Sequence, residues 1–103
     1  MTGSFEWDAA KEESNLVKHK VDFRRAIEIF DGDVVEIADI RRDYGEVRIR
    51  CLGEIEGRVY VVVYVVVYTG RGPNRRIISA RKANEREARD YYSHDREGGT
   101  SAS

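Results

Sequence analysis

Lys18-His19-Lys20 sets an imidazole between two ammonium groups. Like charges on either side disfavour the imidazolium, so the ring is biased toward its neutral, proton-accepting form. Arg71 stands between Gly70 and Gly72, where small residues let a backbone come close to an anion. Arg81 and Lys82 lead into Asn84, a helix start suited to anions. Arg48 and Arg50 are two apart in a segment of period two, so they share one face. Arginine offers a planar, permanently charged fork that matches the oxygens of a phosphoryl group. These residue types suit proton transfer beside a stabilised phosphoryl anion. Each also has a plainer reading. His19 can end a helix and donate to a carbonyl, Arg71 can be solvated, and Arg81 can form a salt bridge to the acidic first half of the chain.

The elements that must position these residues follow from periodicity and punctuation. "SFEW" at 4 to 7 alternates as a short strand. Asp8 caps a helix from about Ala9 to His19. Asp22 caps a second one, with Phe23, Ala26, Ile27 and Phe30 at helical spacing, until "DGD" breaks it. From Val34 the period becomes two. "VVEIADI", "VRIRCLGEI", "RVYVVVYVVVYT" and "RRIISAR" read as consecutive strands, with Glu56-Gly57 as a hairpin turn. Asn84 and Glu87 form a capping box that starts a helix running to about Tyr92. Residues 93 to 103 are polar and rich in glycine and serine, and are expected to form a disordered tail. Helices set apart from a run of hairpin-connected strands predict an α+β fold, with an antiparallel sheet of about four strands, two N-terminal helices and one C-terminal helix.

The valine strand separates two faces. Val59, Val61, Val63, Val65 and Val67 share one, and Tyr60, Val62, Tyr64, Val66 and Tyr68 share the other. The expectation is that the all-valine face packs under the helices while the tyrosine face is more exposed. Tyr60 and Tyr64 suit half-buried sheet positions. Tyr68, nearest Arg71, suits stacking on a base. "VVVY" is repeated at 61 to 64 and 65 to 68, and a four-residue insertion keeps every later side chain on its face.

A length of 103 residues fits a single domain, here 1 to 92. The net charge is only -1, but it is polarised. Residues 1 to 46 carry seven Lys/Arg and twelve Asp/Glu, and residues 71 to 89 carry seven and two. The basic stretch can bind phosphate or an acidic partner, or it can pair with the acidic half. One cysteine, Cys51, allows no intrachain disulfide and favours a reducing compartment. The N-terminus lacks the apolar segment of a signal peptide, and the valine run is too short for a helical membrane span. A cytoplasmic protein is expected, with no membrane contact. The chain holds no P-loop, no dinucleotide fingerprint, no metal-ligand spacing and no nucleophile elbow.

Several segments in order resemble one family. "FEWDAAKEESNLVKHKVDF" is similar to the opening of the BrnT-type toxins, which runs roughly F-x-W-D-x-x-K…N…K-H-x-V-x-F. "DYGEVRI" resembles their middle segment. "VVVYTGRG" with "RRIISARKANEREARDYY" resembles their closing segment. The resemblance covers about residues 5 to 92, and departs from the pattern in carrying a second "VVVY". That insertion puts the local sheet register in question.

The resemblance implies a RelE-like fold and a ribonuclease toxin of a type II toxin–antitoxin pair. It implies inhibition of translation and growth, neutralisation by a ribbon-helix-helix antitoxin, and DNA contact only through the antitoxin complex. Neither metal nor cofactor is implied, because RNA brings its own nucleophile, the 2'-hydroxyl. On this reading Lys18, His19, Arg48, Arg71 and Arg81 are the catalytic candidates. Tyr68, Lys82 and Tyr91 would contact RNA, although Tyr91 can equally well pack its helix. The alternative is a non-catalytic domain that sequesters an acidic or DNA-binding partner.

Overall fold

The computed structural model describes residues 4–39 and 48–101, with side chains from 5 to 38 and from 48 to 94. Most of "DYGEVRI" lies outside these residues. Asp8 caps helix α1 (Ala9–His19), its carboxylate accepting from the Ala10 and Lys11 N–H groups at 2.7 and 3.3 Å. The helix ends at Lys20, which is left-handed (φ 61°) and returns its N–H to the Leu16 carbonyl. Asp22 caps α2 (Phe23–Ala26), accepting from Arg24 N–H at 2.9 Å, and the chain tightens into a 3-10 helix, Ile27–Asp31. Strands β2 (Val34–Asp39), β3 (Arg48–Ile55), β4 (Arg58–Thr69) and β5 (Gly72–Lys82) follow. Glu56 and Gly57 both take positive φ (47° and 82°), as a two-residue hairpin of matching twist requires. The Asn84–Glu87 capping box forms in both directions at 2.9 and 2.8 Å and opens α3 (Glu85–Ser101), which continues past Tyr92.

The sheet order is β1-β5-β4-β3-β2, with β1 being Ser4–Glu6. The antiparallel meander from β2 to β5 is as expected. The first strand adds a fifth member, parallel to β5 along Asn74–Arg76, so the sheet is mixed. Two helices separate β1 from the meander, and that length of chain permits a parallel crossover rather than a hairpin.

The expectation for the valine strand holds for one face and fails for the other: Val59 and Val61 are buried under a helix, but the tyrosine face is covered as well. Tyr64 is 3% exposed and packs with Val62 against Phe23, Ala26 and Ile29, beneath the N-terminal helices. Val59 and Val61 are buried on the opposite face, where they cluster with Leu52 of β3 against Tyr91 of α3. Helices lie on both sides of the sheet, so both faces of β4 are dry along most of its length. The strand outruns its cover only toward its exit, where Tyr68 is 80% exposed. The duplicated quartet pairs regularly, Val65–Tyr68 against Pro73–Arg76. The irregularity falls before it: Val63 faces Ser79 and Tyr64 faces Ile77, leaving Ile78 as an extra residue in β5.

Candidate active site

Helix α1 is tied to the sheet by one side chain. Among the described residues, β5 has no strand on its outer side beyond Arg76. Asn15, 7% exposed, fills that role at Ala80: its amide donates to the Ala80 carbonyl at 2.7 Å and accepts the Ala80 N–H at 3.1 Å. It also donates to the Val21 carbonyl at 3.0 Å, fixing the turn after α1. Four residues on, about one helical turn, α1 delivers His19 to the β5 edge beside Arg81. Partial burial lowers the His19 pKa from its ordinary value, and the neighbouring charges of Lys18 and Arg81 add to the effect. The sequence pointed to flanking lysines; burial is the larger cause, and Arg81 comes from across the fold.

Arg81 is held by Glu87. Its Nη1 and Nη2 donate to the two carboxylate oxygens at 2.7 and 2.8 Å, a fork-to-fork pair. Arg50 approaches the same carboxylate at 3.6 Å. These bonds, led by Arg81, hold the Glu87 carboxyl down at about 2. Glu87 thus closes the helix cap and also links α3 to β3 and β5. Beside it lies a groove of about 340 Å³, lined by Ile37, Arg50, Leu52, Asn84, Arg86, Glu87 and Asp90. The ion pair considered for Arg81 exists, but its partner belongs to α3 rather than to the acidic half.

The remaining candidates do not all converge. Lys18 is exposed beside His19, and Lys82 is exposed opposite Tyr60. Arg48 lies on the Arg50 face, opposite Val65. Arg71 and Tyr68 sit at the β4–β5 turn, at the other end of β5 from Arg81. Ten strand residues at roughly 3.3 Å each put them on the order of 30 Å apart, so the two ends cannot act on one phosphodiester. Tyr91 is 5% exposed in the core under α3, and its hydroxyl donates to the Asp33 carbonyl at 2.8 Å. That ring packs its helix and offers no open stacking face.

Three residues escaped the sequence reading. Asn15 is the N of the quoted family pattern, but its role was not legible, because it binds atoms 65 residues away. Glu87 was recognisable as a cap but not as the Arg81 anchor. Arg75 lies over the rings of Phe30, Tyr64 and Phe5 at 4.8, 5.3 and 5.7 Å, in a cluster that only the folded sheet assembles.

A family model described as the ribonuclease toxin BrnT of type II toxin–antitoxin systems matches residues 7–87. The chain belongs to the BrnT family. That match spans His19, Arg71, Arg81 and Glu87. The 1.1 Å crystal structure of the Brucella abortus ribonuclease toxin BrnT has the same fold, with a TM-score of 0.60 and 24% identity, and the alignment covers 82% of this chain and 100% of that one. No curated protein matches the chain. Membership of the BrnT family implies an RNA target and an antitoxin partner. Among the described residues, no helix is long and apolar enough to cross a membrane.

Proposed function

We propose that this BrnT-family chain is a metal-independent endoribonuclease whose chemistry is centred on His19 and Arg81. The observation that carries this reading is the partly buried imidazole beside two cations, with its pKa lowered. Such a ring is neutral near pH 7 and can accept the proton of an RNA 2'-hydroxyl. The 2'-oxygen then bonds to phosphorus and the bond to the 5'-oxygen breaks, leaving a 2',3'-cyclic phosphate and a 5'-hydroxyl that takes a proton from solvent. Lys18 and Arg81 neutralise the charge building on the phosphoryl oxygens. Glu87 and the Lys82 carbonyl occupy part of the Arg81 fork, and the remaining N–H groups are available to a phosphate. Arg48 extends the basic surface along the sheet, and Lys82 flanks the site as an RNA contact. In the cell, where we place the protein in the cytoplasm, cleavage lowers translation and arrests growth. A ribbon-helix-helix antitoxin neutralises it, and DNA is touched only through that complex.

The test is cleavage of single-stranded RNA by purified protein in excess chelator. His19→Gln is expected to lower the rate by about a hundredfold or more while the thermal melt is unchanged. Wild-type cleavage should fall on the acid side, with a midpoint below the ordinary histidine value of 6.5, because the active form is the unprotonated ring. Full activity in a folded His19→Gln protein, or activity only with added metal, would overturn the assignment.

The Arg81–Glu87 pair favours a second reading, in which Arg81 is structural and the chain only binds its partner. Inducible expression separates the two. Growth arrest relieved by the antitoxin supports the nuclease, and normal growth at verified expression supports the binding domain.

A further inference from the structure

The β4–β5 arm is left over from this site. From Val66 to Arg76 the chain carries three arginines and no acidic residue. Arg76 is engaged by Glu6, its Nε donating at 2.9 Å. Arg71 is exposed at the turn. The Arg75 guanidinium lies 4.8 Å from the Phe30 ring centre and 5.3 Å from that of Tyr64, so part of its side-chain freedom is already lost before it meets an anion. Tyr68 faces Pro73 and Val66 faces Arg75 across the ladder, which puts Tyr68 and Arg75 on one face, a diagonal step of about 7 Å apart. The turn that carries them is braced: Thr69 Oγ1 donates to the Gly72 carbonyl at 2.8 Å and accepts the Arg71 N–H at 3.2 Å.

We propose that this arm is a second RNA contact, remote from His19, in which Tyr68 stacks on a base of a single strand while Arg71 and Arg75 hold its phosphates. The substrate rests on the ribonuclease reading above; the surface does not. A single exposed ring set among cations suits a π-face and phosphates, whereas a protein partner would ask for a wider apolar patch. The duplicated quartet is what gives the arm its length, since Val65–Tyr68 pair with the segment bearing Arg75 and Arg76. At 3.4 Å or more per nucleotide, a separation of about 30 Å from Arg81 spans on the order of five to nine nucleotides. Short strands therefore reach one end of the sheet, and longer ones reach both.

The experiment measures fluorescence anisotropy with 2'-O-methyl strands of four and twelve nucleotides, which cannot be cleaved. Wild-type protein should bind the longer strand far more tightly. Tyr68→Ala should weaken that binding on the order of tenfold, and Tyr68→Phe should retain it. Equal affinity for the longer strand in wild type and Tyr68→Ala overturns the arm. So does a loss in Tyr68→Ala confined to antitoxin binding. Cleavage of an unmodified twelve-nucleotide strand, followed in parallel, keeps the two readings apart. Cleavage with Tyr68-independent binding removes the arm and leaves the nuclease. Tyr68-dependent binding without cleavage does the reverse.

Discussion

Glu87 joins two jobs that sequence reading normally treats separately. Its carboxylate accepts the Asn84 N–H as a cap and grips the Arg81 fork. The cap was legible, because it is a local spacing of three residues. The grip was not, because it depends on β5 ending beneath the start of α3. The carboxyl is held at about 2, chiefly by Arg81, against an ordinary value of 4.5. A depressed carboxyl stabilises the fold fully above its unfolded pKa and loses that contribution as pH falls through the folded one. The melting gap between wild type and Glu87→Gln should therefore be widest near pH 7 and should close as pH falls from about 4.5 toward 2. Thermal melts at pH 7 and pH 3 check this, and a gap that is wider at pH 3 would refute it. Asn15 shows the opposite limit of legibility. The family pattern marks its position, but nothing local in the sequence says that it closes the edge of β5 and sets the height of α1 over the sheet.

Among the elements, boundaries were read better than faces. Caps at Asp8 and Asp22, the Glu56-Gly57 turn and the change to period two all have local causes, and all formed. Which face of β4 meets which helix has no local cause. Period two assigns residues to a face, but when helices cover both sides hydrophobicity cannot tell the faces apart. The parallel partner of β1 was equally hidden, since β1 and β5 are joined only through the whole chain between them. Gly53 marks where the 3-10 helix comes down on β3. A methyl group there would stand 2.5 Å from Ile29 Cβ and 3.2 Å from Val34 Cγ1. Ile29 is fully buried, so it cannot swing aside, and the 3-10 helix must lift. Gly53→Ala is expected to cost about 1–3 kcal/mol, read as a lower denaturant midpoint. An unchanged midpoint would mean that this segment rides loosely on the sheet.

At the scale of the whole molecule, the charge polarity is only partly consumed inside the fold. Arg76 pairs with Glu6 of the acidic half, but Arg81 pairs with Glu87 within the basic stretch itself. Arg71 stays exposed at the arm, and Lys18 and Lys82 stay exposed at the other end of β5. A net charge of -1 gives no long-range attraction for RNA, so any affinity must come from these local cations and from stacking. The two origins separate under salt. Each single-strand phosphate neutralised contributes about -0.7 to the slope of log affinity against log salt concentration. Two to four contacts, shared between the His19 end and the arm, predict a slope of about -1.4 to -2.8. Arg71→Ala should make it shallower by about 0.7, and Tyr68→Ala should lower the affinity at every salt concentration while leaving the slope alone. Titration of a twelve-nucleotide strand from low to high salt measures all three. A wild-type slope near zero would mean that the exposed arginines touch no phosphate, and that the basic stretch serves the antitoxin instead.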